Sequence, residues 1–221
     1  MKERPILFSG AMVRAILDGS KTQTRRVMKV QPTGEGYITS RLADSTFAGD
    51  RKNIGRLHWI KMHDSELRIV DSGDSYFTCP YGKVGDRLWV RETSIISPKN
   101  FSYKDDSCVT DYDGDHRFIQ YLATHSCREA ANDYKLKATP SIHMPRWASR
   151  ITLEIVNIRV ERLQDISDSD AWAEGVETEE ALSIPCAFGA IAAYSALWES
   201  INGTGSWDLN PWVWVIEFRR V

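Results

Sequence analysis

The stretch Asp18-Gly19-Ser20-Lys21-Thr22-Gln23-Thr24-Arg25-Arg26, DGSKTQTRR, sets three cations and three hydroxyls into seven consecutive residues. It follows a helical pattern. Ser9 can cap that helix, Met12, Val13, Ile16 and Leu17 recur at helical spacing, and Gly19 suits a left-handed end. Pro5 to Phe8 before it reads as a short strand. DGSKTQTRR is therefore a loop after a helix, or the start of a second strand. In a straight strand, residues 21 and 24 point to opposite faces, so only a turn or kink after Gly19 brings both side chains to one pocket.

Moving outward, residues 30 to 78 are weakly patterned and glycine-scattered, with one strand signal at Arg56 to Lys61. Gly85-Asp86 marks a turn before a half-buried strand in which Leu88 and Val90 alternate with Arg87, Trp89 and Arg91. Residues 97 to 137 are again polar. The segment Ile151 to Val160 predicts a strand buried on both faces. Asp165 to Gly175 predicts a short helix capped by Ser167 and stopped by Gly175, and about Ala187 to Ile201 a longer one with Ile191, Tyr194, Trp198 and Ile201 as its apolar stripe. The chain ends in an alternating strand, Pro211 to Arg219. This order predicts an α+β fold, a small and mostly antiparallel β-barrel with flanking helices. No repeat or linker divides it, so residues 1–221 form one domain, with insertions at about 30–78 and 97–137.

Composition narrows the function classes. The chain has 221 residues, 26% of them charged, and a formal net charge of −2, so it is no polycation that coats nucleic acid. Its charge is uneven: Arg14 to Lys29 carries five basic residues and one acid, whereas Glu154 to Glu180 carries nine acids and two arginines. A local basic patch suits a compact anionic ligand or a short piece of nucleic acid, and equally two solvated faces of opposite sign. No apolar run is long enough to span a membrane, and the N-terminus lacks a signal-peptide core, which predicts a cytoplasmic protein. The four cysteines lie far apart with no C-x-x-C pair, which suits free thiols. His58 and His63 lack a partnering cysteine pair, and Asp111 to Asp115 lacks the closing glutamate of a calcium loop. No metal and no cofactor is expected.

The chemistry of DGSKTQTRR can be stated without a family. Thr24 is a nucleophile only if a base takes its proton, and Lys21 is that base only if its pKa falls, as the cations Arg25 and Arg26 would make it do if the loop folds back. Four segments in order then resemble an ASCH domain, a PUA-like β-barrel family associated with RNA and modified nucleosides. They are G-x-K-T-x-T-R-R, the G-D-x-L-W-V of residues 85–90, the D-A-x-x-E-G helix of residues 170–175, and the W-V-I-E-F strand of residues 214–218. The wording CPYGKVGDRLWVRET, HMPRWASRI and NPWVWVIEF is similar to ASCH proteins of phages and prophages. The resemblance covers residues 5–29, 79–93 and 141–221.

The resemblance implies an amidohydrolase that removes the acetyl group of N(4)-acetylcytidine. It places the lysine on Lys21, the threonine on Thr24 and the glutamate on Glu174, with Glu177 as the fallback. Thr24, deprotonated by Lys21, would attack the acyl carbonyl, and Glu174 would protonate the departing amine. A glutamate early in a helix would need an apolar pocket, with Trp172 contributing, to carry that proton. Arg25, Arg26, Arg146 and Arg150 are candidate ribose or phosphate contacts, and Trp89 or Trp147 candidate stacking platforms. Arg25 and Arg26 could instead pair with the acidic 165–180 region, and Glu92 reads as an arginine's partner at a strand end. The alternatives are a non-catalytic module that binds RNA or a modified base, and a ribonuclease. The K-x-x-T pattern also occurs in many ASCH proteins whose activity is unknown, and this chain is about twice as long as the amidohydrolase.

Overall fold

The computed structural model describes residues 1–29, 31, 37–41, 57–61, 77–98, 119–124, 135–176 and 189–221. Cys108, Cys127, Cys186, His63, Asp111 to Asp115 and Glu177 lie outside the described residues, as does the side chain of His58.

Strand β1 (Glu3–Leu7) leads into helix α1 (Gly10–Asp18). The Ser9 side chain accepts from the Met12 N–H, and Gly19 closes the helix at φ 89°, a left-handed conformation that costs glycine nothing. After β2 (Gln23–Val27) come β3 (Tyr37–Arg41), β4 (Leu57–Lys61), β5 (Arg87–Arg91), β6 (Ser94–Ile96), β7 (Ile119–Tyr121) and β8 (Ala138–Thr139). The long strand β9 (Thr152–Arg162), the short helix α2 (Asp168–Ala173), α3 (Gly189–Asn202) and β10 (Trp212–Arg220) complete the chain.

The fold is α+β. Its main sheet has five strands in the order β1-β5-β9-β10-β2, and β3 pairs with β4 while β7, β6 and β8 make a third sheet. All ladders in the main sheet are antiparallel except β1 with β5. Among the described residues the sheet is open rather than a closed barrel: β1 and β2 are its edges and no ladder joins them. They meet through one side chain, since Nη2 of Arg26 donates to the Leu7 carbonyl at 2.6 Å.

Two strands differ from their sequence reading. β9 is not buried on both faces: Leu153 and Ile155 are buried, while Glu154, Arg159, Glu161 and Arg162 are only partly so. Between the pairs Glu217–Asn157 and Phe218–Ile155 the register with β10 shifts, leaving Val156 over. This bulge turns Ile158 to the core and hid the alternation. In β10 the alternation holds, but both sets are apolar and Trp212 to Ile216 are all buried. Trp212, Trp214 and Ile216 pack with Val13 and Ile16 of α1, whereas Val213 and Val215 pack with Ala190, Tyr194 and Trp198 of α3. The central strand thus separates two apolar layers, which is what fixes α1 and α3 on opposite faces of the sheet.

Candidate functional site

Lys21 lies just before β2, and its placement answers the geometric condition set by the sequence. It forms an isolated antiparallel bridge with Glu174, while the Thr22 N–H donates to the Ala173 carbonyl and the Thr22 carbonyl accepts from Phe218. The end of α2 is thereby stitched onto the entry of β2. Gly175, at φ 76°, makes the approach feasible: a Cβ there would stand 2.7 Å from Lys21 Cβ and 2.8 Å from Ala15 Cβ. Ser167 caps α2 through the Asp170 N–H, and Glu174 is the C-cap residue. The expectation that Glu174 sits early in its helix is therefore corrected. Trp172, expected to make its surroundings apolar, is 46% exposed and does not line the cavity described below.

Glu174 is 3% exposed, and its two oxygens are held from different directions. Oε2 accepts from Lys21 Nζ at 2.9 Å and Oε1 from Arg25 Nη1 at 3.2 Å, while Lys21 Nζ also donates to the Glu174 carbonyl at 2.6 Å. Arg25 continues into the acidic region through Glu161 and Asp170. Arg159 bridges Glu161, Asp170 and Glu217. Taking water from the Lys21 ammonium pulls its pKa down; Glu174 opposes this, and Arg26 and Arg25 reinforce it.

Along the β2 edge lies a cavity of about 70 Å³, lined by α1, β2, Glu174 and α3. Its polar wall is Thr24, Arg25, Arg26, Glu174 and Asn202 with the polar-tipped Tyr194 and Trp198; Met12, Val27, Leu197 and Ile201 form an apolar border. Lys21 is not among the lining residues, and no hydrogen bond joins it to Thr24 among the described residues. Lys21 instead reaches the cavity through the Glu174 carboxylate. A wider cavity of about 390 Å³ near Asp18, Arg219 and Arg220 touches Lys21 but none of the other expected site residues.

The remaining sequence candidates fall elsewhere. Arg150 makes a bidentate pair with Glu92, at 2.8 and 2.9 Å, and stacks 4.1 Å from the Tyr121 ring centroid. Arg146 pairs with Glu3 at 2.8 Å at the surface. Trp89 is half-buried, with the guanidinium carbons of Arg91 and Arg146 at 5.1 and 5.9 Å from its ring. The structure thus gathers Thr24, Arg25, Arg26 and Glu174 around one cavity, sets Lys21 behind Glu174 rather than in the same pocket as Thr24, and leaves Trp89, Arg146 and Arg150 on other surfaces. Tyr194 and Trp198 are the cavity residues that sequence reading assigned to core packing alone. Their signal was a Tyr and a Trp one turn apart in an apolar stripe, each carrying a polar atom that a core must satisfy. Among the described residues no group of three or more His, Cys, Asp or Glu could hold a metal ion, and no helix is long and apolar enough to cross a membrane.

Compared with known proteins, the chain matches no family model, no curated protein and no solved structure.

Proposed function

We propose that the chain is an ASCH-type protein of the PUA-like superfamily that deacylates a modified pyrimidine nucleoside of the N(4)-acetylcytidine type. The observation that carries this reading is one cavity with a threonine and a carboxylate in its wall, the carboxylate clamped by a buried lysine. The contact of the two edge strands at Arg26 supports a barrel-like curvature of the kind that superfamily has.

Thr24 Oγ adds to the acyl carbon while its proton passes to the Lys21–Glu174 pair. The amide C–N bond breaks, and the amine leaves with that proton. Water then cleaves the acyl-threonine ester, releasing a carboxylic acid and restoring the hydroxyl. Glu174 is the one carboxylate among the lining residues, so it is the group that meets the proton. Lys21 positions it and, being less basic than an exposed lysine, gives up a proton more readily.

The test is incubation with N(4)-acetylcytidine and close N-acyl analogues, comparing the parent chain with Thr24→Ala, Lys21→Ala and Glu174→Ala. Turnover by the parent and a fall of at least about a hundredfold in Thr24→Ala is the expected result. Absence of turnover across the panel sinks acyl transfer. A second reading, a non-catalytic module for RNA or a modified base, draws on Trp89 with its flanking Arg91 and Arg146. It requires steeply salt-dependent binding to RNA oligomers that Thr24→Ala leaves intact.

A further inference from the structure

Two large apolar side chains that this molecule leaves in water meet at one place. Val27 is 47% exposed and Ile201 52%, and both line the cavity at the β2 edge beside the half-buried Met12 and Leu197. Ile201 follows Leu197 by one turn of α3, and Val27 ends the strand that carries Thr24. A single exposed aliphatic residue is ordinary, but four of them from three elements around one cavity make a surface that a ligand can dry. The border offers little to a polar ligand. Of the polar lining residues only Arg26 and Asn202 escape burial. Each already spends a nitrogen, Arg26 Nη2 on the Leu7 carbonyl at 2.6 Å and Asn202 Nδ2 on the Trp198 carbonyl at 3.0 Å. A ribose brought here would set its hydroxyls against aliphatic side chains, and each hydroxyl that loses water without a partner weakens binding.

We infer that the border of Met12, Val27, Leu197 and Ile201 is a site for the hydrocarbon chain of the acyl group, so that the preferred substrates are N-acyl pyrimidines with an aliphatic acyl group longer than acetyl. The inference rests on the acyl-transfer reading and names its substrate class. Besides the attacking Thr24 Oγ, the acyl carbon carries an oxygen, the amine nitrogen and the chain. When Oγ bonds to the carbon, the π pair of the C=O bond moves onto the oxygen. It returns as the C–N bond breaks, and the nitrogen leaves with the proton taken from Thr24. Glu174 delivers that proton, so the nitrogen faces the carboxylate. The chain is the substituent with no polar partner to meet. It is left to the border, where each methylene withdrawn from water strengthens binding.

The test is calorimetric binding of N(4)-acetyl-, N(4)-butanoyl- and N(4)-hexanoylcytosine to Thr24→Ala, which cannot form the acyl-threonine, with turnover of the same series by the parent chain. Affinity should rise about twofold per added methylene, as half-burial gives, and so about fifteenfold from acetyl to hexanoyl. Ile201→Ser and Val27→Ser alter side chains that stand largely in water, and each should bring that ratio down to about fivefold or less. Val84→Ser, at a side chain 58% exposed but not on the cavity, should leave the ratio unchanged. If Thr24→Ala does not fold, N(4)-alkylcytosines of the same lengths, which have no carbonyl to attack, replace the acyl series on the parent. A flat series, no measurable binding, or a ratio that survives both border substitutions overturns the chain site. Turnover with a flat series sinks the chain site and leaves acyl transfer standing. A rising series that the border substitutions flatten, without turnover, upholds the chain site and sinks acyl transfer.

Discussion

Glu174 and Glu92 are both almost wholly buried carboxylates held by arginine, yet they sit in opposite kinds of surroundings. Glu92 gives both oxygens to one guanidinium, that of Arg150, which stacks on Tyr121, whose hydroxyl in turn donates to the Ala148 carbonyl. That cluster closes on itself. Glu174 is divided between Lys21 and Arg25, and it stands in the wall of a cavity. A bidentate arginine satisfies a carboxylate locally and ties two segments together. A carboxylate split between two buried cations is costly to desolvate, and such arrangements are a weak source of stability. The contrast separates a structural pair from a site.

That contrast can be broken by mutation. Removing the carboxylate in Glu174→Ala leaves Lys21 and Arg25, whose side chains are wholly buried, short of compensation. The expected loss is about 3–5 kcal/mol in chemical denaturation, together with loss of turnover. A loss below about 1 kcal/mol would mean the two clusters do not differ in this way. Gly175→Ala should cost about 2–3 kcal/mol, from the left-handed backbone and the collision with Lys21 and Ala15. It should also lower turnover more than its stability change accounts for, because Lys21 must shift; an unchanged kcat would refute the positioning role of Lys21.

Glu92→Ala should cost about 2 kcal/mol, less than Glu174→Ala, because the Arg150 side chain keeps 23% of its exposure and can turn to water. It should leave turnover of N(4)-acetylcytidine unchanged once its stability loss is allowed for, and a lowered turnover would show that the clusters are coupled. The smallest effect is a pH slope. Burial, with Glu174 adding, raises the Tyr194 phenol well above its ordinary value. Above about pH 10 the unfolded phenol loses its proton while the native one keeps it, so stability falls as pH rises. Lys21 acts with the opposite sign up to about pH 10.4, because its lowered native pKa lets the folded state release a proton first. Comparing denaturation midpoints of the parent and Tyr194→Phe between pH 9 and 11 should show the alkaline decline flattened in the variant. Parallel curves would remove Tyr194 from the titration.

Much of the local structure was readable from residue patterns. The Ser9 and Ser167 caps, the left-handed glycines at 19 and 175, and the alternation of Leu88 and Val90 all depend on neighbours within a few positions. Glu92 was rightly read as the partner of an arginine. Trp89 stood out in the sequence as the open aromatic of its strand, and it is half-buried between arginines. The bulge in β9 defeated the reading of that strand because one extra residue reverses which side chains face inward.

The amino-acid sequence by itself determined that an α+β chain would present Lys21, Thr24, Arg25 and Arg26 at the entry of a strand, after a glycine-ended helix. Tertiary structure alone decided what they meet. Glu174 comes from 153 positions beyond Lys21, and α3 brings Tyr194 and Trp198 to the same edge only because β10 buries both of its faces. Periodicity is a property of neighbours along the chain. Which side chains gather, and around what space, is set by sheet order and by the packing of two helices on opposite faces.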